Sequence, residues 1–261
     1  MNKVIRAEFG RTINAGLIIA IAGIIFSICF DSFNDLIAGL RNGQGYVGYF
    51  FSNAAFGGMC THYMLPVFTA LPFSVSLCQE RNNKAVSYIV SREGKNRYIF
   101  AKFIVSAISG GFVAVCGTVL LFLMLAMRFP IAGDEFEGAV VSDYFHEWSA
   151  VYYPQLYILT LSILAFCRGV IWSSLALCVS LYTSDFMVVL LSPFLGSYVL
   201  VRIFQIIRVP DMVRPDMILI GQVVIKSSGL TLLIAIAISL TIVTLIGAFF
   251  VGKMKEGLKS G

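Results

Sequence analysis

Two features of this sequence carry its chemistry, and both are basic. Arg168 lies near the middle of the apolar run Leu156 to Tyr182, where a guanidinium costs roughly 2.5 to 3.5 kcal/mol on insertion scales and is retained for a partner or a function. It has two readings: it faces a cavity and attracts an anionic or polar substrate, or it holds the fold by bonding carbonyls and hydroxyls such as those of Thr160, Ser162 and Ser173. The second feature is Gln79 to Lys102, which concentrates Arg81, Lys84, Arg92, Lys95, Arg97 and Lys102 between two apolar runs. Within it, Asn82 or Asn83 is placed to cap a helix start, Val86, Ile89 and Val90 form an apolar stripe, and Gly94 is placed to end the helix left-handed. The pattern predicts a short amphipathic helix from Lys84 to Glu93, whose stripe suits either a membrane surface or a groove on a partner protein.

Bond-making chemistry has little support in the same residues. His62 and His146 fall in separate regions without HExxH spacing, and no cysteine or carboxylate stands at metal-ligand intervals. Neither a catalytic nor a metal site is expected. The six cysteines, Cys29, Cys60, Cys78, Cys116, Cys167 and Cys178, lack a CxxC pair and read as buried free thiols; Cys29 and Cys60, both near the outer face, are the one pair a disulfide would suit. The run GAFFVGK, Gly247 to Lys253, imitates a phosphate-binding loop, but it lies in an apolar helix and is followed by Met254, which cannot hold magnesium. Nucleotide chemistry, if used, belongs to another chain, and nothing points to nucleic acid.

The elements that hold these residues are set by hydropathy. The chain has 58% hydrophobic and 13% charged residues and a mean hydropathy of +0.87, far from the balance of a soluble domain. A spanning helix needs about 20 mostly apolar residues, and six stretches approach or exceed this: Ile13 to Phe30, Cys60 to Leu77, Ile99 to Met127, Leu156 to Tyr182, Phe186 to Ile207 and Gly229 to Val251. The expectation is a single all-helical, polytopic transmembrane domain over residues 1–261. Basic residues before the first span (Lys3, Arg6, Arg11), in the 79–98 loop and after the sixth span (Lys253, Lys255, Lys259) put both termini on the cytoplasmic side of a cell membrane, as in a bacterial inner membrane. The loop after the third span is acidic, with Asp134, Glu135, Glu137, Asp143 and Glu147, and reads as outer. The segment 205–228 should also be outer, although Arg202, Arg208, Arg214 and Lys226 surround it, so these residues snorkel or the segment re-enters the membrane.

Smaller signals refine the picture. Residues 1–12 alternate Val4, Ile5 and Phe9 with Lys3, Arg6, Glu8 and Arg11, the pattern of an interfacial helix or of a basic flank that sets topology. Ser106, Ala107, Gly110, Gly111 and Ala114, with Gly169 and Ser173, provide small faces for close helix approach. Pro66, Pro72 and Pro193 can kink their spans, Asp185 is placed to cap the fifth, and Phe50, Phe51, Phe56, Trp148, Tyr152 and Tyr153 read as interfacial anchors.

This order of parts resembles the permease subunits of type-2 ABC transporters: an N-terminal interfacial helix, six spans, and Glu80 preceding a short coupling helix between spans two and three. The run Ser91 to Lys102, SREGKNRYIFAK, is similar to the basic, Tyr-containing entry to the third span in that family, and Phe166 to Asp185, FCRGVIWSSLALCVSLYTSD, to its fourth span. The resemblance implies a cytoplasmic ATP-binding cassette ATPase carrying ATP and Mg, docked on Glu80, Lys84, Val86, Tyr88, Ile89, Val90 and Arg92. It also implies a second permease subunit, identical or related, and a re-entrant helical pair within 205–228. Export of a drug, lipid-like molecule or antimicrobial peptide through a lipid-embedded pathway would follow. Two other readings remain open, a gradient-driven carrier, which would need intramembrane carboxylates or an inverted repeat, and a non-transporting adaptor or immunity protein.

Overall fold

The computed structural model describes residues 2–42, 47, 50, 58–74, 76–130, 153–221, 223, 225 and 227–257. Among them the chain is all-helical: α1 (Asn2–Thr12), α2 (Ala15–Asp31), α3 (Phe33–Asn42), α4 (Met59–Ala70), α5 (Ser76–Asn82), α6 (Val86–Glu93), α7 (Lys95–Ala126), α8 (Pro154–Val179), α9 (Phe186–Ile207), α10 (Pro215–Ile220) and α11 (Ser228–Gly257). Local chemistry sets several of the starts. Asn14 accepts from the Leu17 amide at 3.1 Å to begin α2. Asp185 accepts from the Met187 amide at 2.8 Å to begin α9, as expected for a cap. Pro154 occupies the first turn of α8, where its missing N–H is harmless.

Four helices, α7, α8, α9 and α11, are long and apolar enough to cross a membrane, consistent with a membrane protein; the pair α1–α2, bent by 58°, passes the same test only when taken together. The second expected span is not one continuous helix. α4 has 12 residues, which at 1.5 Å per residue reach about 18 Å, well short of a hydrocarbon core. Pro72 lies in the turn Leu71–Ser74 that separates α4 from α5, and proline denies that turn the amide needed to continue the helix. The free ends are satisfied from elsewhere: Asp31 accepts from the Cys60 and Thr61 amides at 2.9 and 2.6 Å at the start of α4. In the turn, Ser74 Oγ donates to the Ser173 carbonyl at 2.9 Å and meets Ser106 Oγ at 3.1 Å.

The bundle is organised around α7 and α8, whose small residues meet as the sequence predicts. A Cβ on Gly110 would stand 2.4 Å from Ser173 Cβ and Oγ, and one on Gly169 would stand 2.5 Å from the Gly110 carbonyl oxygen. Only glycine allows the two backbones this close. α9 and α11 lie further out, with 22% and 17% of their most apolar windows buried. Phe50, expected as an interfacial anchor, is instead buried against Phe129 with ring centroids 5.0 Å apart; Tyr153 is exposed. Phe51, Phe56, Trp148, Tyr152 and the acidic loop lie outside the described residues.

Between α9 and α11 the described residues form a short turn and one short helix. Arg208 ends α9 in the left-handed region (φ 56°), a 3-10 turn covers Asp211–Val213, and the six-residue α10 follows. Ile218, Leu219 and Ile220 of α10 are buried in the main apolar core. Arg214, one of the awkward outer cations, is paired: its Nη2 donates to Asp216 at 2.7 Å and its Nη1 to Asp211 at 3.2 Å. The hydrogen bond to Asp216 pushes the Arg214 guanidinium above its ordinary pKa. The excess positive charge of the segment is thereby offset locally.

Candidate functional site

α6 is the element that sequence reasoning singles out. It begins at Val86, two residues later than expected, and neither asparagine caps it: Ala85 precedes it without a side-chain hydrogen bond, while Asn82 closes α5 and donates to the Ser184 carbonyl at 3.2 Å. Gly94 has φ 86° and ψ 137°, a conformation open to glycine but not the left-handed helical one expected, and its amide donates to the Val90 carbonyl. Val86, Ile89 and Val90 pack on a core formed by Leu77, Tyr98, Ile99, Leu177, Phe250 and Met254. The stripe therefore covers this chain's own helices. Tyr88 points away and is 80% exposed, and Lys84 and Arg92 are also exposed.

Glu80 is not on that surface. It is buried at the centre of an ion-pair network that joins three helices. Arg11 of α1 reaches Glu80 Oε1 at 2.6 Å, Lys102 of α7 reaches the same oxygen at 2.7 Å, and the Tyr98 hydroxyl donates to Oε2 at 2.5 Å. Glu8 of α1 closes the network, 3.1 Å from Arg11 and 3.3 Å from Lys102. Lys102 is fully buried, with its ammonium 4.7 Å from the Phe73 ring centroid, an arrangement in which the ring face adds attraction. Two carboxylates face two cations, so the buried group is balanced, as a network in low dielectric must be. Neighbouring cations tie the same end of the bundle together: Arg81 caps α8 through the Ser180 and Leu181 carbonyls, both at 2.8 Å, and Lys95 reaches the Lys255 carbonyl of α11 at 3.0 Å.

The role of Glu8, Tyr98 and Lys102 is missed by sequence reasoning. One signal was present: Lys102 falls inside the apolar run that starts at Ile99, which makes it as anomalous as Arg168. Its partners are 22 and 94 residues away, distances that no local pattern encodes.

Arg168 is buried in α8, and its Nε has no hydrogen-bond partner among the described residues. The hydroxyls proposed to hold it are turned to their own helix: Thr160 to the Leu156 carbonyl, Ser162 to Ile158 and Ser173 to Val170. Arg168 instead lines a partly open cavity of about 160 Å³ between α4, α8, α9, α10 and α11. Its other walls are almost entirely apolar, among them Leu65, Ile171, Trp172, Leu175, Leu200 and Ile246; His62, Ser197 and Asp216 are the remaining polar residues. A second hollow, of about 210 Å³, shares His62, Val201, Asp216 and Ile220 with the first and extends to Gln205 and Arg214.

No group of histidine, cysteine and carboxylate side chains suited to a metal occurs among the described residues, and Cys29 and Cys60 are both free thiols. The described residues thus combine a cross-braced end bearing an exposed aromatic with a single guanidinium in a largely apolar cavity. The chain matches no protein-family model, no curated protein and no solved structure.

Proposed function

We propose that this chain is the membrane-spanning permease subunit of an ATP-binding cassette transporter, with six crossings of the cell membrane and both termini in the cytoplasm. α4 and α5 with their turn make one broken crossing, and α2 makes the first. The observation that carries this reading is the Glu8–Arg11–Glu80–Tyr98–Lys102 network. It fastens α1, α5 and α7 into one unit directly beneath α6, whose Tyr88 is left exposed. A push on α6 is delivered to α5 through the short stretch before Val86 and to α7 through Gly94, without slack from loosely held side chains.

A cytoplasmic ATPase carrying ATP and Mg docks on the exposed part of α6, chiefly Tyr88 with Lys84 and Arg92. The apolar outer faces of α9 and α11 suit lipid and a second permease subunit, identical or related. An apolar interior with few charges suits export of a hydrophobic or amphipathic cargo.

The test is affinity purification of the tagged chain from native membranes in a mild detergent. The expected result is a stoichiometric ATPase that co-purifies with the wild type and falls by about tenfold or more with Tyr88→Asp, as for a hot-spot aromatic. Tyr88 is the informative position because Val86→Asp or Ile89→Asp would also break the internal packing of α6. A wild-type chain that purifies without any ATPase overturns the reading.

A further inference from the structure

The geometry points to the Arg168 cavity as a binding site for an amphipathic monoanion, the acid group held by the guanidinium and the hydrocarbon part seated among Ile171, Leu175, Leu200 and Ile246. Four observations converge. Arg168 is 9% exposed and its Nε meets no acceptor among the described residues. A buried guanidinium that lacks one calls for an anion, and its planar fork fits the two oxygens of a carboxylate or phosphodiester. Asp216, the carboxylate lining the cavity, is already engaged by Arg214 at 2.7 and 3.3 Å, which leaves the Arg168 guanidinium without a carboxylate partner among the described residues and suits it to a single negative charge.

Apart from His62, Ser197 and Asp216 the remaining walls are apolar and suit a free inorganic ion poorly, so an apolar body accompanies the charge. The volume, about 160 Å³, is close to that of an apolar cavity of about 150 Å³ that accepts benzene. It holds an acid group with a short hydrocarbon stretch, and the adjoining hollow beside His62 and Val201 gives a longer molecule its exit.

As a statement about cargo, this rests on the transport reading. Binding itself is measured on the isolated chain without ATPase, so its failure leaves the docking of a partner on α6 untouched, and the converse holds.

Trp172 lines the cavity and supplies the readout. In a Trp148→Phe background, which leaves Trp172 as the only tryptophan, the purified chain in maltoside micelles is titrated with bromohexanoate and with neutral bromohexanol. Saturable quenching by the acid and a linear, non-saturating response to the alcohol are expected. The affinity for the acid should drop about tenfold or more in Arg168→Gln and survive in Arg168→Lys, which keeps the charge. Gly196→Val supplies an independent check with Arg168 intact. A Cβ at Gly196 would lie 3.3 Å from the Trp172 ring, so the valine intrudes on the cavity and should weaken binding.

Competition then separates the sources. Displacement by a short-chain phosphatidylglycerol identifies a bilayer lipid, and displacement by hexanoate alone identifies a free acid; both sustain the site. It is overturned if the alcohol binds as well as the acid, if folded Arg168→Gln binds undiminished, or if neither competitor displaces the probe. Should Arg168→Gln fail to fold, undiminished binding by Gly196→Val overturns it equally.

Discussion

Glu80 accepts from Arg11, Lys102 and Tyr98 at once, and that density of bonds makes the basic end sensitive to single changes. Removing Lys102 leaves Glu8 and Glu80 buried with only the half-exposed Arg11 between them. Breaking a buried pair in this way is destabilising by about 3 to 5 kcal/mol. Lys102→Met should therefore lower the unfolding free energy in detergent by about that amount, while adding Glu80→Gln to it should recover part of the loss, because one orphaned charge is removed. A loss below about 1 kcal/mol would mean that water already screens the network. The two buried cations were unequally legible in the sequence. Arg168 stands out because its run is apolar on both sides, whereas Lys102 is camouflaged at the end of a basic stretch. The partners of Lys102 belong to other helices, so its place in a network emerges only when α1 and α5 are packed against α7.

Helices were easier to read than their breaks. The small residues of α7 and α8 state their purpose in sequence, since glycine and serine at four-residue spacing on an apolar helix have little to do except permit close contact. Gly110→Ala should destabilise the bundle by about 1 to 3 kcal/mol, the range for overpacking, because the added carbon would overlap Ser173. Gly252→Ala in α11, where nothing lies within 4 Å of the new carbon, should be neutral or slightly stabilising. Thermal unfolding of the two variants side by side checks the pair, and equal effects would contradict the packing described. The α4–α5 turn was harder to foresee. Pro66 and Pro72 both promised kinks, yet α4 runs through Pro66 and the chain turns at Pro72. There the Ser74–Ser106–Ser173 contacts and the seat of Phe73 over Lys102 stabilise the turn. Likewise, the periodicity of Val86, Ile89 and Val90 identified an apolar face correctly but not what covers it, because a helical period records that a face is buried and not against which neighbour.

At the scale of the whole molecule, the two ends of the bundle are built differently. One end is braced by ion pairs and carries α6, and the interior toward α10 is apolar, hollow and marked by one guanidinium. Hydropathy made the all-helical, membrane-type fold legible, since apolar runs of helix length are a local property of the sequence. The difference between the ends was not, since it depends on α1, α5 and α7 meeting at Glu80 and on α10 closing the Arg168 cavity. In the proposed transporter the braced end receives force and the cavity takes cargo. The most direct measurement is photo-crosslinking from position 88 in native membranes, with position 18 of α2, 71% exposed on an apolar surface, as the control. The proposed function predicts one protein adduct from position 88, a nucleotide-binding ATPase, that is missing from position 18. An adduct that binds no nucleotide, or no protein adduct from position 88, would contradict it.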